Sequence, residues 1–284
     1  MNPLKTPQNS NLPTVSQTGS LDKPAGGTPR VLIVAGSDPV AGAGMQADLK
    51  VATAFGVYAM TAVTAITVQD TRRVHRVVPL APELVAGQMR VCLEEIGADC
   101  IKLGMLGNRA ITRAVAQVLR EHPRVPVVAD PVLAGTQGGI LLEPGGLEAY
   151  REELLPRVTL LTPNLPEAAA LTGLTVTALE QMRTSARELR RAGAGAVLVK
   201  GGHLEGEVLH DWLDAGEQTR LFTDRRLSGP GFHGTGCVLA SAIAAGLARG
   251  VPLDQAVADG RVWLRGAMEQ SLALGTGQRL LWRQ

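Results

Sequence analysis

Short apolar runs alternate with amphipathic segments along most of the chain. The apolar runs predict buried strands at 31–35, 61–66, 100–103, 125–129, 158–162 and 196–199. The segments between and after them predict helices at 46–55, 82–96, 109–120, from 163 onward, 177–191, 235–248 and 253–274. Two shorter β segments, 208–213 and 220–223, predict an antiparallel edge. This alternation predicts an α/β fold, a three-layer α/β/α sandwich with a mainly parallel central sheet.

Glycines and polar side chains follow most of these predicted strands. In parallel sheets, ligands bind outside the carboxyl ends of the strands. The segments at those ends are Gly36-Ser-Asp38, Val68-Gln69, Gly104-Met105, Asp130-Pro-Val132, Pro163-Asn-Leu-Pro-Glu167 and Lys200-Gly-Gly202. The pattern therefore predicts one site along the carboxyl edge of the sheet.

A glycine-rich turn, Gly229-Pro-Gly-Phe-His-Gly-Thr-Gly-Cys237, leads directly into an apolar helix. The backbone N–H groups of Gly234, Thr235, Gly236 and Cys237 are the unpaired donors of its first turn, at the positive end of the helix dipole. Such a helix start binds phosphate. The same field is expected to lower the pKa of the Cys237 thiol, which makes it a candidate base or nucleophile. The alternative is a tight turn before a buried helix.

Oxygen-bearing side chains stand at two of the predicted strand ends. Asp130 ends one strand, and Asn164 and Glu167 follow the next, which is a donor set that suits Mg²⁺. Alternatively, Asn164 and Glu167 are ordinary helix-capping residues. Lys200 ends an apolar strand, where it is either a phosphate ligand or an exposed lysine. Together with the anion site these residues indicate Mg-nucleotide chemistry.

Two common nucleotide motifs are not supported. Gly42-Ala-Gly-Met-Gln-Ala47 resembles a dinucleotide-binding turn, but the next predicted strand ends without the acidic residue that such a site needs. The loop before Gly42 is also too long for the tight first turn. No Gly-Lys dipeptide occurs, so there is no Walker A loop.

Composition narrows the class of protein. The net charge of +2, without a basic stretch that carries aromatics, argues against nucleic acid as a partner. Three cysteines without CxxC spacing indicate a cytoplasmic protein. Apolar runs fall short of the ~18 residues that span a membrane. Residues 1–29 are rich in polar residues, Pro and Gly, which predicts a disordered tail before one domain at 30–284.

Eight short motifs, taken in order, resemble those of the bacterial hydroxymethylpyrimidine/phosphomethylpyrimidine kinases, members of the ribokinase superfamily. The resemblance covers about residues 30–280. The motifs are Ala35-Gly-Ser-Asp-Pro39, Gly42-Ala-Gly-Met-Gln-Ala-Asp-Leu-Lys50, Thr64-Ala-Ile-Thr-Val-Gln69, Lys102-Leu-Gly-Met-Leu106, Asp130-Pro-Val132, Thr162-Pro-Asn-Leu-Pro-Glu-Ala168, Val199-Lys-Gly-Gly-His203 and His233-Gly-Thr-Gly-Cys237.

The resemblance implies a ribokinase-like fold, a homodimer and two ATP-dependent steps. The first phosphorylates 4-amino-5-hydroxymethyl-2-methylpyrimidine, and the second converts the monophosphate to the diphosphate. It implies that Gln69 binds the edge of the pyrimidine, with Asp48 nearby. The expected pocket residues are Gly36, Ala43, Met105 and Val132. Cys237 takes the place of the aspartate base of most ribokinase-like enzymes. Asp130 and Glu167, with Asn164, are expected to organise Mg²⁺, and Lys200, Asn164 and Gly202 to contact the nucleotide.

Three segments differ from the usual family pattern: Val40-Ala-Gly-Ala-Gly44, Asp70 in Gln69-Asp-Thr71, and the lysine-free Gly135-Thr-Gln-Gly138. They leave open whether the second phosphorylation is retained. Two alternative functions stay open as well. One is a pyridoxal or pyridoxine kinase of the same fold, since its ring also bears a hydroxymethyl group. The other is a non-catalytic sensor that binds the pyrimidine.

Overall fold

A computed structural model describes residues 27–135, 141–227, 229 and 231–283. The strands are β1 (Arg30–Ser37), β2 (Tyr58–Gln69), β3 (Val74–Pro79), β4 (Cys100–Leu103), β5 (Val127–Ala129), β6 (Leu160–Leu161), β7 (Ala196–Lys200), β8 (Val208–Ala215), β9 (Gln218–Arg225), β10 (Phe232–His233) and β11 (Arg279–Leu280). The helices are α1 (Gly44–Ala54), α2 (Pro82–Glu95), α3 (Arg109–Glu121), α4 (Pro144–Ala149), α5 (Leu165–Thr172), α6 (Leu179–Arg191), α7 (Thr235–Ala248) and α8 (Leu253–Glu269).

Nine of the strands form one sheet in the order β3-β2-β1-β4-β5-β6-β7-β8-β9. Strands β1, β2 and β4 to β7 are parallel to one another, whereas β3, β8 and β9 pair antiparallel. The mainly parallel sheet is confirmed. Its parallel strands end along one edge, which collects the segments that follow them.

Both faces of the sheet are covered by helices. In β1, Leu32 and Val34 pack into a core with α2, α3, α5 and α6, whereas Val31 and Ile33 pack into a second core with α1, α7 and α8. Successive side chains of a strand point to opposite faces, so a continuously apolar strand supplies both cores. The three-layer architecture predicted from the apolar runs follows from this packing.

Several element boundaries differ from those predicted. Strand β2 extends well beyond the predicted 61–66, and it pairs with β3, which the sequence pattern did not indicate. Strand β3 is an edge strand with no buried residue, so it lacks the apolar signal of a central strand. The last helix ends at Glu269 and not at 274, because Leu272 bridges to Leu280. The predicted antiparallel edge is confirmed by β8 and β9.

Some expectations fall wholly or partly outside the described residues. The predicted tail at 1–29 is described only from residue 27, and the segment 135–138 only at Gly135. Within the ranges that the structure describes, no helix combines the length and the apolar character needed to cross a membrane.

Candidate active site

Helix α7 begins at a glycine turn that packs against the loop after β1. We call residues Gly234–Cys237 of this turn the cradle. Gly234 has a φ of +81°, a left-handed conformation that favours glycine. A Cβ atom at Gly234 would overlap the carbonyl oxygen of Gly42. The first-turn N–H groups of α7, which have no intrahelical partner, therefore lie beside the loop 42–44.

An ion pair lies against the cradle. Lys200 Nζ is 2.8 Å from Asp130 Oδ1, and both side chains are largely buried. A Cβ atom at Gly236 would lie 2.9 Å from Asp130 Oδ2 and 3.0 Å from Lys200 Nζ. The structure thus brings Lys200, Asp130 and the cradle together, and Lys200 is not the exposed strand-end lysine of the alternative interpretation.

Asn164 and Glu167 form a capping box at the start of α5. The Asn164 side chain accepts from the Glu167 N–H at 2.9 Å, and Glu167 Oε2 accepts from the Asn164 N–H at 2.7 Å. Glu167 is buried, and this burial raises the pKa of its carboxyl to about 7 from 4.5; Lys200 opposes the shift and Asp130 adds to it. The helix-capping interpretation is confirmed, and it leaves Glu167 beside the Asp130–Lys200 pair.

Asp130 and Glu167 suit a Mg²⁺ ion that keeps several of its water ligands. Within the described ranges no three His, Cys, Asp or Glu side chains form a metal cluster. However, the Asp130 carboxylate is close enough to raise the pKa of Glu167, and a cation bound beside them would relieve this repulsion. The buried Tyr150 hydroxyl has no hydrogen-bond partner in the described part of the chain, and its pKa is raised by burial and then by these two carboxylates. Mg²⁺ usually takes one or two carboxylates plus waters and substrate phosphates.

The raised pKa of Glu167 predicts that the free energy of unfolding depends on pH. Its folded pKa of about 7 lies above the ordinary 4.5, so the folded protein binds more protons than the unfolded chain between these values. Stability contributed by the neutral carboxyl is therefore lost as pH rises from about 5 to about 7, by at most about 1.4 kcal/mol for each pH unit. Glu167→Gln keeps a capping side chain and should flatten this part of the profile in urea unfolding at pH 5 to 8. An unchanged profile would contradict the raised pKa.

The residues expected to bind the pyrimidine lie around the loop after β1. A Cβ atom at Gly36 would lie 3.1 Å from Met105 Cε, so these two residues contact each other. The Ala43 N–H donates to Asp38 Oδ2 at 2.8 Å, and the Gln69 side chain lies close enough to Asp38 to lower the pKa of its carboxyl. Four expected pocket residues are thus grouped at the ends of β1, β2 and β4.

The remaining expected ligands lie at the same edge of the sheet. Val132 is half-buried, and its N–H donates to the carbonyl oxygen of Asp130. Gly202 is exposed, and its carbonyl oxygen accepts from Arg226 Nη1 at 2.8 Å. Asp70, which differs from the family pattern, accepts from the N–H groups of Arg72 and Arg73. Its Oδ2 also lies 2.8 Å from His75 Nε2 in β3, so the partners of this carboxylate lie within the β2–β3 hairpin.

Asp48 does not line the pocket, which corrects the expectation from the sequence. It is fully buried, with Oδ2 2.7 Å from Lys102 Nζ and Oδ1 accepting from Ser241 Oγ at 2.8 Å. Lys102 is also fully buried, in the middle of β4. The sequence signal for this residue was a single lysine within the apolar strand Cys100-Ile-Lys-Leu103.

The expected lowering of the Cys237 pKa is wrong. Burial raises the pKa of its thiol to about 12, and the carboxylates of Asp48 and Asp130 add to that shift. Lys102 and the N–H of Gly44 act in the opposite direction. Since burial outweighs the positive end of the helix, Cys237 is a neutral thiol at pH 7 in this structure.

Asp38 and His233 form a buried contact beside the candidate site that the sequence did not predict. His233 Nε2 lies 3.0 Å from Asp38 Oδ2, and both side chains are largely buried. The signal for them was position alone, since Asp38 follows the first strand and His233 precedes the cradle.

The structure is similar to solved structures of a pyridoxal kinase and a phosphomethylpyrimidine kinase. Pyridoxal kinase from Staphylococcus aureus, in complex with AMP-PCP and pyridoxal, has a TM-score of 0.82 and 34% identity over 90% of this chain and 94% of its own. Phosphomethylpyrimidine kinase from Clostridium difficile has a TM-score of 0.75 and 33% identity over 85% of this chain and 100% of its own. Fold and site together define a ribokinase-like small-molecule kinase.

Within that class, the chain belongs to the phosphomethylpyrimidine kinase family, which matches residues 38–282. The hydroxymethylpyrimidine/phosphomethylpyrimidine kinase of Rhizobium meliloti is 43% identical over 248 residues, which are 87% of this chain and 93% of that protein. The family resemblance carried by the eight motifs is confirmed.

Proposed function

We propose that this protein transfers the γ-phosphoryl group of ATP to 4-amino-5-hydroxymethyl-2-methylpyrimidine, and then phosphorylates the monophosphate to the diphosphate. One observation carries the proposal. Gly234 of the cradle packs against Gly42 in the loop after β1, which also carries Ala43 of the expected pocket. Gly236 of the cradle packs against the Asp130–Lys200 pair. A phosphoryl group bound there would lie between the pyrimidine pocket and the nucleotide residues, as phosphoryl transfer requires.

Different residues of the chain have different roles in this reaction. Gln69, Gly36, Ala43, Met105 and Val132 bind and orient the pyrimidine. The N–H groups of the cradle and the ammonium of Lys200 bind the transferring phosphoryl oxygens. Asp130 and Glu167 would hold Mg²⁺, which neutralises phosphate charge when bound. Asn164 positions Glu167 through the capping box, and Gly202 leaves open space for the nucleotide.

We propose that Cys237 accepts the hydroxymethyl proton. With a pKa raised by burial to about 12, its thiolate must be stabilised by nearby positive charge. The chain supplies two cations, since Lys102 lowers the thiol pKa and Lys200 also interacts with it. Before transfer, the neutral thiol releases its proton to solvent water. The hydroxymethyl oxygen then bonds to phosphorus, its proton passes to the thiolate sulfur of Cys237, and the bond between phosphorus and the ADP oxygen breaks.

Gly236→Ala tests the contact between the cradle and the ion pair. Alanine suits a helix, but its Cβ would displace Asp130 or Lys200. Turnover is expected to fall by about tenfold or more, because small misplacements cost rate, while pyrimidine binding stays unchanged. Gly87→Ala is the matched control, since a Cβ there meets nothing within 4 Å. Normal turnover of Gly236→Ala in an ADP-release assay would contradict this role of the cradle.

A pyridoxal or pyridoxine kinase is the second candidate, because a pyridoxal kinase in complex with pyridoxal shares the fold at 34% identity. An ADP-release assay with the pyrimidine, its monophosphate, pyridoxal and pyridoxine in parallel tests both candidates. We expect the highest kcat/KM for the pyrimidine, and a higher value for pyridoxal would reverse the assignment. Family membership disfavours the non-catalytic sensor.

Two further features belong to the proposal. We place the protein in the cytoplasm, since its three cysteines are free thiols. We also propose a homodimer, as the family resemblance implies. Analytical ultracentrifugation tests the second point, and a single species at the 29.8 kDa monomer mass would contradict it.

A further inference from the structure

Asp38 is a buried carboxylate that collects hydrogen bonds from the loop after β1. It is 2% exposed. Its Oδ1 accepts from the Val40 N–H at 3.0 Å, and its Oδ2 accepts from the N–H groups of Gly42 at 3.1 Å and Ala43 at 2.8 Å. The carboxylate therefore fixes the shape of the loop that carries the pocket residue Ala43.

The same carboxylate reaches a residue far along the chain. His233 Nε2 lies 3.0 Å from Asp38 Oδ2, and His233 directly precedes the cradle. The packing at this contact leaves no room for a side chain at Gly42, where a Cβ atom would lie 2.5 Å from His233 Cδ2 and 2.6 Å from Leu280 Cδ2. Close packing at Gly42 and the hydrogen bond between His233 and the Asp38 carboxylate thus hold the loop after β1 against the start of α7.

A third group joins this contact from the pyrimidine side. The Gln69 side chain lies close enough to Asp38 to lower the pKa of its carboxyl. Burial disfavours the ionised carboxyl of Asp38, but interactions with His233, Gln69 and Ala43 outweigh it, and the pKa is lowered overall. Asp38 is therefore an anion that contacts both the expected pyrimidine ligand and the residue before the cradle.

We propose that His233 and Asp38 are a positioning pair that sets the distance between the pyrimidine pocket and the cradle. The inference rests on the proposed function, since it assigns the spacing of the two reacting groups. Neither residue needs to touch the reacting atoms. Asp38 holds Gln69 and Ala43 on one side, and His233 holds the start of α7 on the other. Because a displacement of about 1 Å can cost 10²-fold in rate, loss of the pair should act on turnover more than on binding.

Steady-state kinetics of His233→Ala and His233→Gln test the pair. Glutamine places an amide donor near the position of imidazole Nε2, whereas alanine removes it. We expect His233→Ala to lower kcat by about tenfold or more, with the pyrimidine KM changed less than about threefold, and His233→Gln to recover most of kcat. His75→Ala is the matched control, because His75 and Asp70 form a similar contact of 2.8 Å at an exposed position.

The possible results distinguish failure of the positioning pair from failure of the proposed function. Turnover of the wild-type protein in the same assay tests the function, and the variants test only the pair. Normal kcat in His233→Ala overturns the proposal, as does a loss that His233→Gln fails to restore, because that marks a purely structural role. Where His233→Ala does not fold, His233→Asn replaces it: its shorter amide should lose kcat relative to His233→Gln, and equal rates would overturn the pair.

Discussion

Replacing Cys237 by alanine is expected to lower turnover by about 10²–10⁴-fold, the usual contribution of a general base. Pyrimidine binding should remain, since the side chain is small and the expected ring contacts come from Gln69 and Met105. The loss should appear in kcat and kcat/KM alike, because proton transfer occurs only in the transition state.

Titration calorimetry with the pyrimidine and initial rates of ADP release measure the two effects separately. Cys92→Ala is the control, since Cys92 is a half-buried thiol in α2, packed against the core. It should keep normal turnover. Near-normal turnover of Cys237→Ala would remove Cys237 from the base role and leave positioning by the cradle as the main catalytic contribution.

Lys102→Met is expected to destabilise the protein by about 3–5 kcal/mol, because it leaves the Asp48 carboxylate buried without its ion-pair partner. Both side chains are fully buried, and Nζ and Oδ2 are 2.7 Å apart. The burial that raises the pKa of Asp48 is offset mainly by Lys102, so loss of Lys102 should force Asp48 to bind a proton.

Urea unfolding at pH 7 measures the effect, and a second variant isolates the pair. Lys102→Met combined with Asp48→Asn removes both charges and should recover part of the lost stability. Lys50→Met is the matched control, since Lys50 is exposed on α1, and it should change stability by less than about 1 kcal/mol. A double variant less stable than Lys102→Met alone would contradict the ion-pair account.

The pattern of apolar positions was sufficient to predict the central strands of the sheet but not its exposed edge strand β3. Strand β1 is apolar on both faces, and that composition indicates a central parallel strand directly. Strand β3 carries no buried residue, so its pairing with β2 depends on the turn between them and not on a hydrophobic pattern. Its place in the sheet was therefore not predictable from periodicity.

The sequence predicted where the residues of the candidate site lie better than it predicted their protonation states. The order of the strand ends placed Asp130, Lys200 and Gly236 along one edge of the sheet, where the structure brings them into contact. The raised pKa of Cys237 was not predictable, because the helix start is visible in the sequence whereas the burial of the thiol is not. The partner of Asp48 was missed for a similar reason, since Lys102 lies 54 residues away.

We propose that phosphoryl transfer to the hydroxymethylpyrimidine takes place at the cradle. Phosphorus NMR of the purified protein with ATP, Mg²⁺ and the pyrimidine follows the transferred group directly. We expect a monophosphate resonance that is then replaced by diphosphate resonances, and we expect both to appear more slowly in Gly236→Ala and much more slowly in Cys237→Ala. ATP left intact by wild-type protein that binds the pyrimidine would contradict this proposal.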